Sequence, residues 1–234
     1  MLAPATANAA ELTALISNSL KTAMEELAPQ FEKATGHKLK ITFGSTDPLK
    51  VRIEKGEAID FAILGEATTD DLIKQGKLVA ATRAVIARSG LGVAIRKGAP
   101  RPDLSTTEAF KRTLINAKSI AYTEKGLTGV YLKGLFQRLG IANELTPKTK
   151  DTSAVAAVAN GEAEIGVTQA SEILPVAGVD FAGPLPSEIQ SYTILPGAIV
   201  TGAKQADAAK VLLKFLASPE AVRVMKAKGL EPAG

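Results

Sequence analysis

Several residue types that carry enzyme chemistry are missing, or nearly missing, from this sequence. The 234 residues include no Cys, no Trp and one His, and the aromatic side chains are limited to 7 Phe and 3 Tyr. Without Cys the chain has no thiol nucleophile, no disulfide and no Cys-ligated zinc or iron–sulfur centre. A Ser-His-Asp triad would need His37, which lies in a turn-like sequence before a predicted strand and is expected to be a solvated loop residue.

Motifs for catalysis and for membrane insertion are also absent. The sequence contains no Gly-x-Gly-x-x-Gly, no Walker Gly-x4-Gly-Lys-[Ser/Thr] and no Gly-x-Ser-x-Gly. Asp70 and Asp71 are adjacent carboxylates, but Thr-Thr-Asp-Asp is typical of the first turn of a helix. Because no proton shuttle stands out, we predict a protein that is not an enzyme and that uses no metal and no cofactor. No apolar stretch reaches the roughly 20 residues of a membrane span.

The charge pattern argues against a nucleic-acid partner. The chain has 28 Lys and Arg against 24 Asp and Glu, a formal net charge of +4. The basic residues are scattered, often beside acidic ones, and no basic stripe is interleaved with aromatic residues, as nucleic-acid binding would require. We therefore predict no nucleic-acid binding, and the mild basicity favours a small anionic ligand.

The N-terminal residues suggest export. Ala7-Asn8-Ala9 has the pattern that ends a secretory signal, although the residues before it have neither a positive region nor a long apolar run. We predict a periplasmic protein, with the signal peptide largely absent from this chain. The alternative is a disordered Ala-rich N-terminus of a cytosolic protein.

Short apolar segments alternate with helical periodicity along the chain. Apolar residues from Leu20 to Phe31 recur at spacings of 4, 3 and 4 and predict a helix that stops at Gly36. Asp47 followed by Pro48, and a capping box of Ser105 with Glu108, predict further helix starts. After the apolar run 12–16, the predicted strands cover 39–43, 59–64, 91–95, 119–122, 165–167 and 193–200. The alternation predicts the α/β class, with a mostly parallel sheet and helices on both faces.

Two segments resemble each other and suggest two lobes. Residues 54–63 and 159–167 share a helix end, a Gly, the dipeptide Glu-Ala and an apolar strand. Because Gly-Glu-Ala is a common helix-to-strand turn, coincidence is the alternative explanation. The chain is long enough for two lobes of about 110 residues each.

Three predicted strand-to-helix junctions carry small, hydroxyl-rich turns. The turns are Ser17-Asn18-Ser19, Gly44-Ser45-Thr46, and the segment from Thr123 through Gly126 to Thr128-Gly129. In open α/β sheets, ligands bind at the carboxyl ends of the strands, where helix N-termini offer free N–H groups. Each turn alone is explained as a helix cap, but three in this position predict an anion site without an obligatory Lys or Arg.

The same turns carry a resemblance to the molybdate-binding family of type II periplasmic solute-binding proteins. The resembling segments are Ser17–Leu27, Phe31–Gly36, Phe43–Leu49, Ile53–Ala58, Gly129–Tyr131, Gly161–Gly166 and Leu213–Gly229. No single segment identifies the family, but the order and spacing of the segments over nearly the whole chain are specific to it. It implies a two-lobe type II fold, each lobe a mixed sheet flanked by helices, with two crossovers and a ligand cleft between the lobes. The implied lobes are 1–88 plus 196–234, and 89–195.

The resemblance also implies site residues. Ser19 and Thr46, or the adjacent Ser45, match hydroxyl donors of the first lobe. Thr128 matches a residue that donates a backbone N–H, and Asp151 or Thr152 falls where the family has another backbone donor. The full set of predicted ligand contacts is Ser17, Asn18, Ser19, Ser45, Thr46, Arg88, Thr123, Thr128, Gly129, Thr152 and Gln169.

Departures from the family pattern bear on the ligand. Gln169 stands where the molybdate binders place a Tyr, and Asp151 would repel an anion if it faced the cleft. A small organic carboxylate is therefore favoured slightly over molybdate or tungstate. Arg83 or Arg88 could pair with a ligand carboxylate, whereas a surface role is the alternative for either.

The resulting prediction is an extracytoplasmic solute-binding protein of an ABC importer. It would bind a small anion, deliver it to an ABC-type membrane permease and act as a monomer. The alternative is the effector-binding domain of a transcriptional regulator with the same fold, which would need a DNA-binding helix-turn-helix that these residues do not include.

Overall fold

The computed structural model describes residues 9–125 and 127–232. The Ala7-Asn8 part of the predicted cleavage pattern and Gly126 of the third predicted turn lie outside these ranges. The strands are β1 (Glu11–Ser17), β2 (Lys38–Gly44), β3 (Phe61–Ile63), β4 (Ala84–Arg96), β5 (Ile120–Tyr122), β6 (Thr149–Asp151), β7 (Ile165–Gln169), β8 (Val179–Pro184), β9 (Tyr192–Ile199) and β10 (Glu231–Pro232). The α-helices are α1 (Lys21–Thr35), α2 (Thr46–Glu54), α3 (Glu66–Lys74), α4 (Thr107–Asn116), α5 (Leu127–Arg138), α6 (Ala142–Leu145), α7 (Ala154–Asn160), α8 (Ala170–Ile173), α9 (Ala206–Leu216) and α10 (Pro219–Ala227).

The described chain divides into two compact units. Unit 1 comprises residues 9–88, 194–227 and 231–232, and unit 2 comprises residues 89–125, 127–193 and 228–230. The chain passes from unit 1 to unit 2 within β4 and returns to unit 1 within β9. In addition, residues 228–230 belong to unit 2, which we did not predict from the sequence. A ligand cleft between two lobes stays a prediction.

Unit 1 contains a mixed sheet with parallel strands on one side. β1 pairs in parallel with β2 and with β3, and β3 pairs antiparallel with β9. Leu15 of β1 and Ala62 of β3 share a buried cluster with Leu49 of α2 and Leu72 of α3, so these two helices cover one face. α1 and α9 meet through Phe31 and Phe215, whose rings pack edge to face with centroids 5.5 Å apart. The aromatic pair adds directional packing to the apolar burial.

Unit 2 contains a second mixed sheet with helices on both faces. β7 is antiparallel to β4 and parallel to β5, which is in turn parallel to β6. Side chains alternate along β5: Ile120 and Tyr122 join the cluster formed with α4 and α5, whereas Ala121 joins the cluster formed with α7. This period of two places one face of the sheet against each helical layer. The predicted α/β class is confirmed.

The sequence placed three helix starts incorrectly. The helix after β2 is capped at Ser45 rather than Asp47, which puts Pro48 third in the helix, where a missing N–H is still tolerated. The cap of α4 is Thr106 and not Ser105, because the Thr106 hydroxyl accepts the Ala109 N–H at 3.1 Å. The third helix, α3, begins at Glu66, four residues before the predicted Asp70.

His37 was also predicted incorrectly. It is 7% exposed rather than solvated, and its Nδ1 accepts the Ala10 N–H at 3.2 Å. The imidazole lies against the Phe31 ring, with centroids 6.2 Å apart. The residue therefore ties the chain before β1 to the end of α1, which is a packing role.

No helix in the part of the chain that the structure describes is long and apolar enough to cross a membrane. Within the same ranges, no cluster of three or more His, Asp or Glu side chains is arranged to hold a metal ion.

A buried carboxylate, Asp60, connects two elements of unit 1. Its Oδ2 accepts the Thr13 N–H of β1 and its Oδ1 accepts the Gln205 N–H just before α9, both at 2.9 Å. The side chain is 7% exposed, so water does not replace these hydrogen bonds if they are lost.

We expect Asp60→Asn to destabilise the protein, because the amide keeps one acceptor and turns an NH₂ group toward a backbone N–H. The expected cost is about 2 kcal/mol, or a fall in Tm of about 4–8 °C. Thermal unfolding followed by circular dichroism measures it. The matched control is Asp207→Asn, whose side chain is 95% exposed and whose carboxylate is bonded to Lys210. Equal Tm values for the two variants would contradict the connecting role of Asp60.

Candidate functional site

Three strand ends lie side by side at one edge of unit 1. In the parallel register, Ser17 is opposite Gly44, and Ile16 is opposite Ile63, so the chain leaves β1, β2 and β3 at the same edge. Neighbouring strands are about 4.8 Å apart, which brings the turns after them within reach of one small ligand. Each turn leads into a helix: a 3₁₀ turn and α1 after β1, α2 after β2, and α3 after β3.

The helix starts at this edge leave backbone donors available. Ser45 caps α2 and Gly65 caps α3, and neither cap makes a side-chain hydrogen bond to its helix. The first N–H groups of an α-helix have no partner within the helix, and the helix dipole adds partial positive charge there. The edge is therefore suited to an anion.

Predicted hydroxyl residues surround these helix starts. Ser45 is exposed, Ser19 is half-buried, and the Ser17 hydroxyl accepts the Ser19 N–H at 3.4 Å, while Asn18 between them is exposed. The half-buried Thr46 hydroxyl lies 3.7 Å from where a Cβ at Gly65 would be. The structure thus brings Thr46, at the start of α2, against the start of α3.

Sequence reasoning missed the contribution of Gly65 to this edge. It started α3 at Asp70, so the turn after β3 was not recognised as a third helix start. The available signal was Leu64-Gly65-Glu66, in which a small residue follows an apolar strand and an acidic residue opens the next helix.

The acidic residues of α3 are compensated by cations within unit 1. Arg83 donates to Asp70 at 2.7 Å and to Glu66 at 2.9 Å. The hydrogen bond from Lys50 lowers the pKa of the Asp71 carboxyl, and Lys50 and Asp71 lie 2.6 Å apart. Asp70 and Asp71 are therefore mid-helix partners of basic residues rather than a helix cap, and Arg83 is already bonded to two carboxylates.

Arg88, the other predicted cationic contact, lies at the end of unit 1's part of β4. Its guanidinium forms an ion pair with Glu231 of β10 at 2.7 Å, and about half of the side chain is exposed. Its role in ligand binding stays a prediction.

A comparable edge exists in unit 2. The Thr123 hydroxyl, just after β5, donates to the Thr152 carbonyl oxygen at 3.4 Å, and the Asp151 carboxylate accepts the Glu124 N–H at 2.8 Å. The Thr152 N–H donates to the Lys150 carbonyl oxygen at 3.1 Å, so this backbone donor is used locally. The ends of β5 and β6 are thereby tied together.

Part of the charge at this second edge is paired as well. Lys133 of α5 forms an ion pair with Glu124, and this hydrogen bond raises the pKa of Lys133. Burial raises the pKa of the Tyr122 phenol, and the Glu124 carboxylate raises it further. Both groups therefore keep their protons at neutral pH, and the Asp151 carboxylate adds a negative charge at the same edge.

Gly129 explains how α5 approaches the end of β5. A Cβ at this position would overlap the carbonyl oxygens of Thr123 and Glu124, so only glycine lets the helix come this close. Thr128 precedes it in the first turn and is half-buried. The structure thus places Thr123, Thr128 and Gly129 around one helix start, as the sequence predicted them to be in one turn.

Gln169 ends β7 at the same edge of unit 2. It is 8% exposed, and its Nε2 donates to Thr193 Oγ1 at 3.2 Å. Sequence reasoning identified Gln169 but missed Thr193, which stands 24 residues later on β9. No local pattern joins the two residues, because their contact depends on the tertiary pairing of distant strands.

Comparison with known proteins supports the predicted resemblance. A family model described as bacterial extracellular solute-binding protein matches residues 12–231. An aconitate isomerase from Pseudomonas sp. is 36% identical over 230 residues, which cover 94% of this chain and 87% of the relative. The molybdate-binding protein ModA of Escherichia coli K12 is 28% identical over 233 residues, covering 96% of this chain and 90% of the relative.

A solved structure has a similar fold. It is a substrate-binding domain assigned to a molybdenum ABC transporter of Clostridium difficile, with a TM-score of 0.82 and 21% identity. The match covers 97% of this chain and 100% of that one. The resemblance to the molybdate-binding family and the type II fold are thus confirmed.

We expect Gly129→Ala to destabilise unit 2 by about 1–3 kcal/mol, because the methyl group must displace two backbone carbonyls. Gly134→Ala is the matched control in the same helix, where a Cβ would lie 3.5 Å from the flexible Arg138 side chain. That substitution should raise stability by about 0.5–1 kcal/mol, since alanine favours the helix. Urea unfolding of both variants measures the difference, and similar midpoints would contradict the close approach at Gly129.

Proposed function

Because this chain belongs to the bacterial extracellular solute-binding protein family, we propose that it binds a small organic polycarboxylate and delivers it to an ABC-type permease. The observation that carries the proposal is the edge of unit 1, where the starts of α2 and α3 meet without side-chain caps beside the Thr46 hydroxyl. Such an edge binds an anion through neutral donors and helix dipoles.

Two observations support a carboxylate over molybdate. The more similar of the two named relatives, at 36% identity, is called an aconitate isomerase, and aconitate is a tricarboxylate. In addition, Gln169 stands where the resemblance to molybdate binders implies a Tyr. Molybdate and tungstate remain the competing ligands, since ModA is 28% identical.

Export and the permease partner follow from the proposed role rather than from a contact in the structure. A protein that hands a solute to a membrane permease must work on the extracytoplasmic side, which agrees with the family description. A monomeric state and the absence of nucleic-acid binding stay predictions. The alternative role as the effector domain of a regulator is not favoured by the family assignment.

The ligand class is tested by thermal shift with citrate, tricarballylate, succinate, malate, molybdate, tungstate and sulfate. A ligand present at 100 times its Kd should stabilise the protein by about 2.7 kcal/mol. We expect at least one polycarboxylate to do so. Stabilisation by molybdate or tungstate alone would contradict the carboxylate proposal, and no shift with any anion would contradict anion binding.

With the best ligand of this panel, Thr46→Ala should raise Kd by about tenfold or more, because one hydrogen bond to a charged group is lost. The fold should change little, since the Thr46 hydroxyl caps no helix. Thr201→Ala, at an exposed position after β9, is the control and should leave Kd unchanged. A Thr46 variant that unfolds readily yet binds normally would show that the residue is only structural.

A second candidate function is isomerisation of the bound ligand. The named relative favours it, and unit 2 holds a carboxylate at its edge: Glu172 of α8 accepts a hydrogen bond from the buried Thr168 hydroxyl. Moving a double bond within a tricarboxylate requires one proton to be removed and one to be returned, which a carboxylate can do.

Proton NMR of cis-aconitate incubated with the protein separates the two functions. A pure binding protein leaves the spectrum unchanged over hours, which is the expected result. Growth of trans-aconitate signals in proportion to protein concentration would establish the isomerase instead, and Glu172→Gln would then be expected to slow that growth at least about 100-fold.

A further inference from the structure

One buried acceptor at the edge of unit 2 has no partner. Gln169 is 8% exposed and uses its Nε2 on Thr193, whereas no described residue donates to its Oε1. A buried carbonyl oxygen without a donor is uncommon in proteins, because it has lost its hydrogen bonds to water and gained none. The side chain therefore has a hydrogen-bonding capacity that the fold does not use.

Two neighbouring donors are already engaged. Leu91 lies opposite Gln169 in the β4–β7 pairing, and its N–H donates to the Gln190 side chain at 2.9 Å. The Thr168 hydroxyl, one residue before Gln169, is bonded to the Glu172 carboxylate. If either donor moved to bond the Gln169 amide oxygen, it would lose the hydrogen bond that it already makes.

Thr193 completes a pair with two complementary functions. Its Oγ1 accepts from Gln169 Nε2, which leaves its own hydroxyl hydrogen to donate elsewhere. The pair thus offers one acceptor, the amide oxygen, and one donor, the threonine hydroxyl. An alcohol group can satisfy both at once, whereas a fully deprotonated oxyanion has no hydrogen for the acceptor.

We propose that Gln169 and Thr193 recognise a ligand hydroxyl group, which makes a small hydroxycarboxylate the preferred ligand. The inference rests on the proposed function, because it takes the ligand to be a small carboxylate. If the amide were turned the other way, the unpartnered group would be its NH₂, which an alcohol oxygen and a carboxylate oxygen can both accept from. The two orientations therefore predict different selectivities, because only the first favours the hydroxylated ligand.

The test uses two ligand pairs that differ by one hydroxyl: citrate against tricarballylate, and malate against succinate. Isothermal titration calorimetry of the whole chain gives the Kd of each. In each pair that binds, we expect the hydroxylated ligand to bind about tenfold more tightly, the equivalent of one good hydrogen bond. The ratio should be constant between pH 6 and pH 8, because an alcohol does not titrate in this range.

Two variants remove the acceptor and the donor of the pair separately. Gln169→Met keeps the side-chain length and removes the acceptor, and Thr193→Val keeps the shape and removes the donor. Each should bring the Kd ratio within about threefold of one, with the loss falling on the hydroxylated ligand. Gln137→Met, at an exposed position of α5, is the control and should keep the wild-type ratio. Circular dichroism checks that each variant is folded, and either variant alone suffices.

The possible outcomes separate this inference from the proposed function. A wild-type ratio near one, or a preference for tricarballylate and succinate, would overturn hydroxyl recognition while leaving carboxylate binding intact. A ratio that falls toward one as the pH is lowered would assign the donated hydrogen to an acid proton, which also overturns it. Failure of all four carboxylates to bind would contradict the proposed function itself.

Discussion

The parallel pairing of β1 with β2 and β3 determines where the helix starts of the candidate site meet in unit 1. Parallel strands in this register end together, so the chain turns outward at Ser17, Gly44 and Ile63 on one edge. Each turn then starts a helix whose first N–H groups point back toward that edge. A shift of one strand by a single residue would reverse its inward and outward faces and move its helix start away from the other two. The buried face of the sheet therefore also positions the donors.

The basic side chains near each edge are paired with acidic ones. In unit 1 Arg83 is occupied by Glu66 and Asp70, and in unit 2 Lys133 is occupied by Glu124. The Asp151 carboxylate at the unit 2 edge is bonded instead to the Glu124 N–H. The donors that remain at the two edges are therefore mainly backbone N–H groups of helix starts and neutral hydroxyl and amide groups.

Much of this architecture could be predicted from the sequence, but only where a local pattern determines it. The end of α1 at Gly36 was predicted correctly, because the apolar residues from Leu20 to Phe31 recur with helical period and a glycine in the left-handed conformation follows them. The starts of α2, α3 and α4 were misplaced, since several Ser, Thr and Asp residues in a row can each cap a helix and the backbone conformation decides among them. The cap of α4 at Thr106 is decided by the extended φ of −139° and ψ of 162° at that residue.

In the candidate site, too, the residues that lie in a local sequence pattern were predicted and those that depend on tertiary contacts were not. Ser45, Thr46, Thr123 and Gly129 were identified because they lie in short turns between recognisable elements. The burial of His37 and the contact between Gln169 and Thr193 could not be predicted in this way. His37 is buried by Phe31 and the chain before β1, and Thr193 reaches Gln169 across strands that are far apart in sequence. These features are properties of the assembled sheet.

Hydrogen-bond polarity is what gives such a neutral site its selectivity. A site made only of donors distinguishes anions by size, because every deprotonated oxygen accepts equally well. One buried acceptor changes this, since it penalises any ligand that cannot supply a hydrogen at that point and favours one that can.

The amide of Gln169 introduces such an acceptor at the edge of unit 2, where the resemblance to the molybdate binders implies the phenol of a Tyr. A phenol that points its hydrogen at an oxyanion is a donor there, so exchanging it for a carbonyl oxygen reverses the sign of the interaction. Under the proposed function, this one residue at the end of β7 shifts the preferred ligand from inorganic oxyanions toward hydroxylated organic acids.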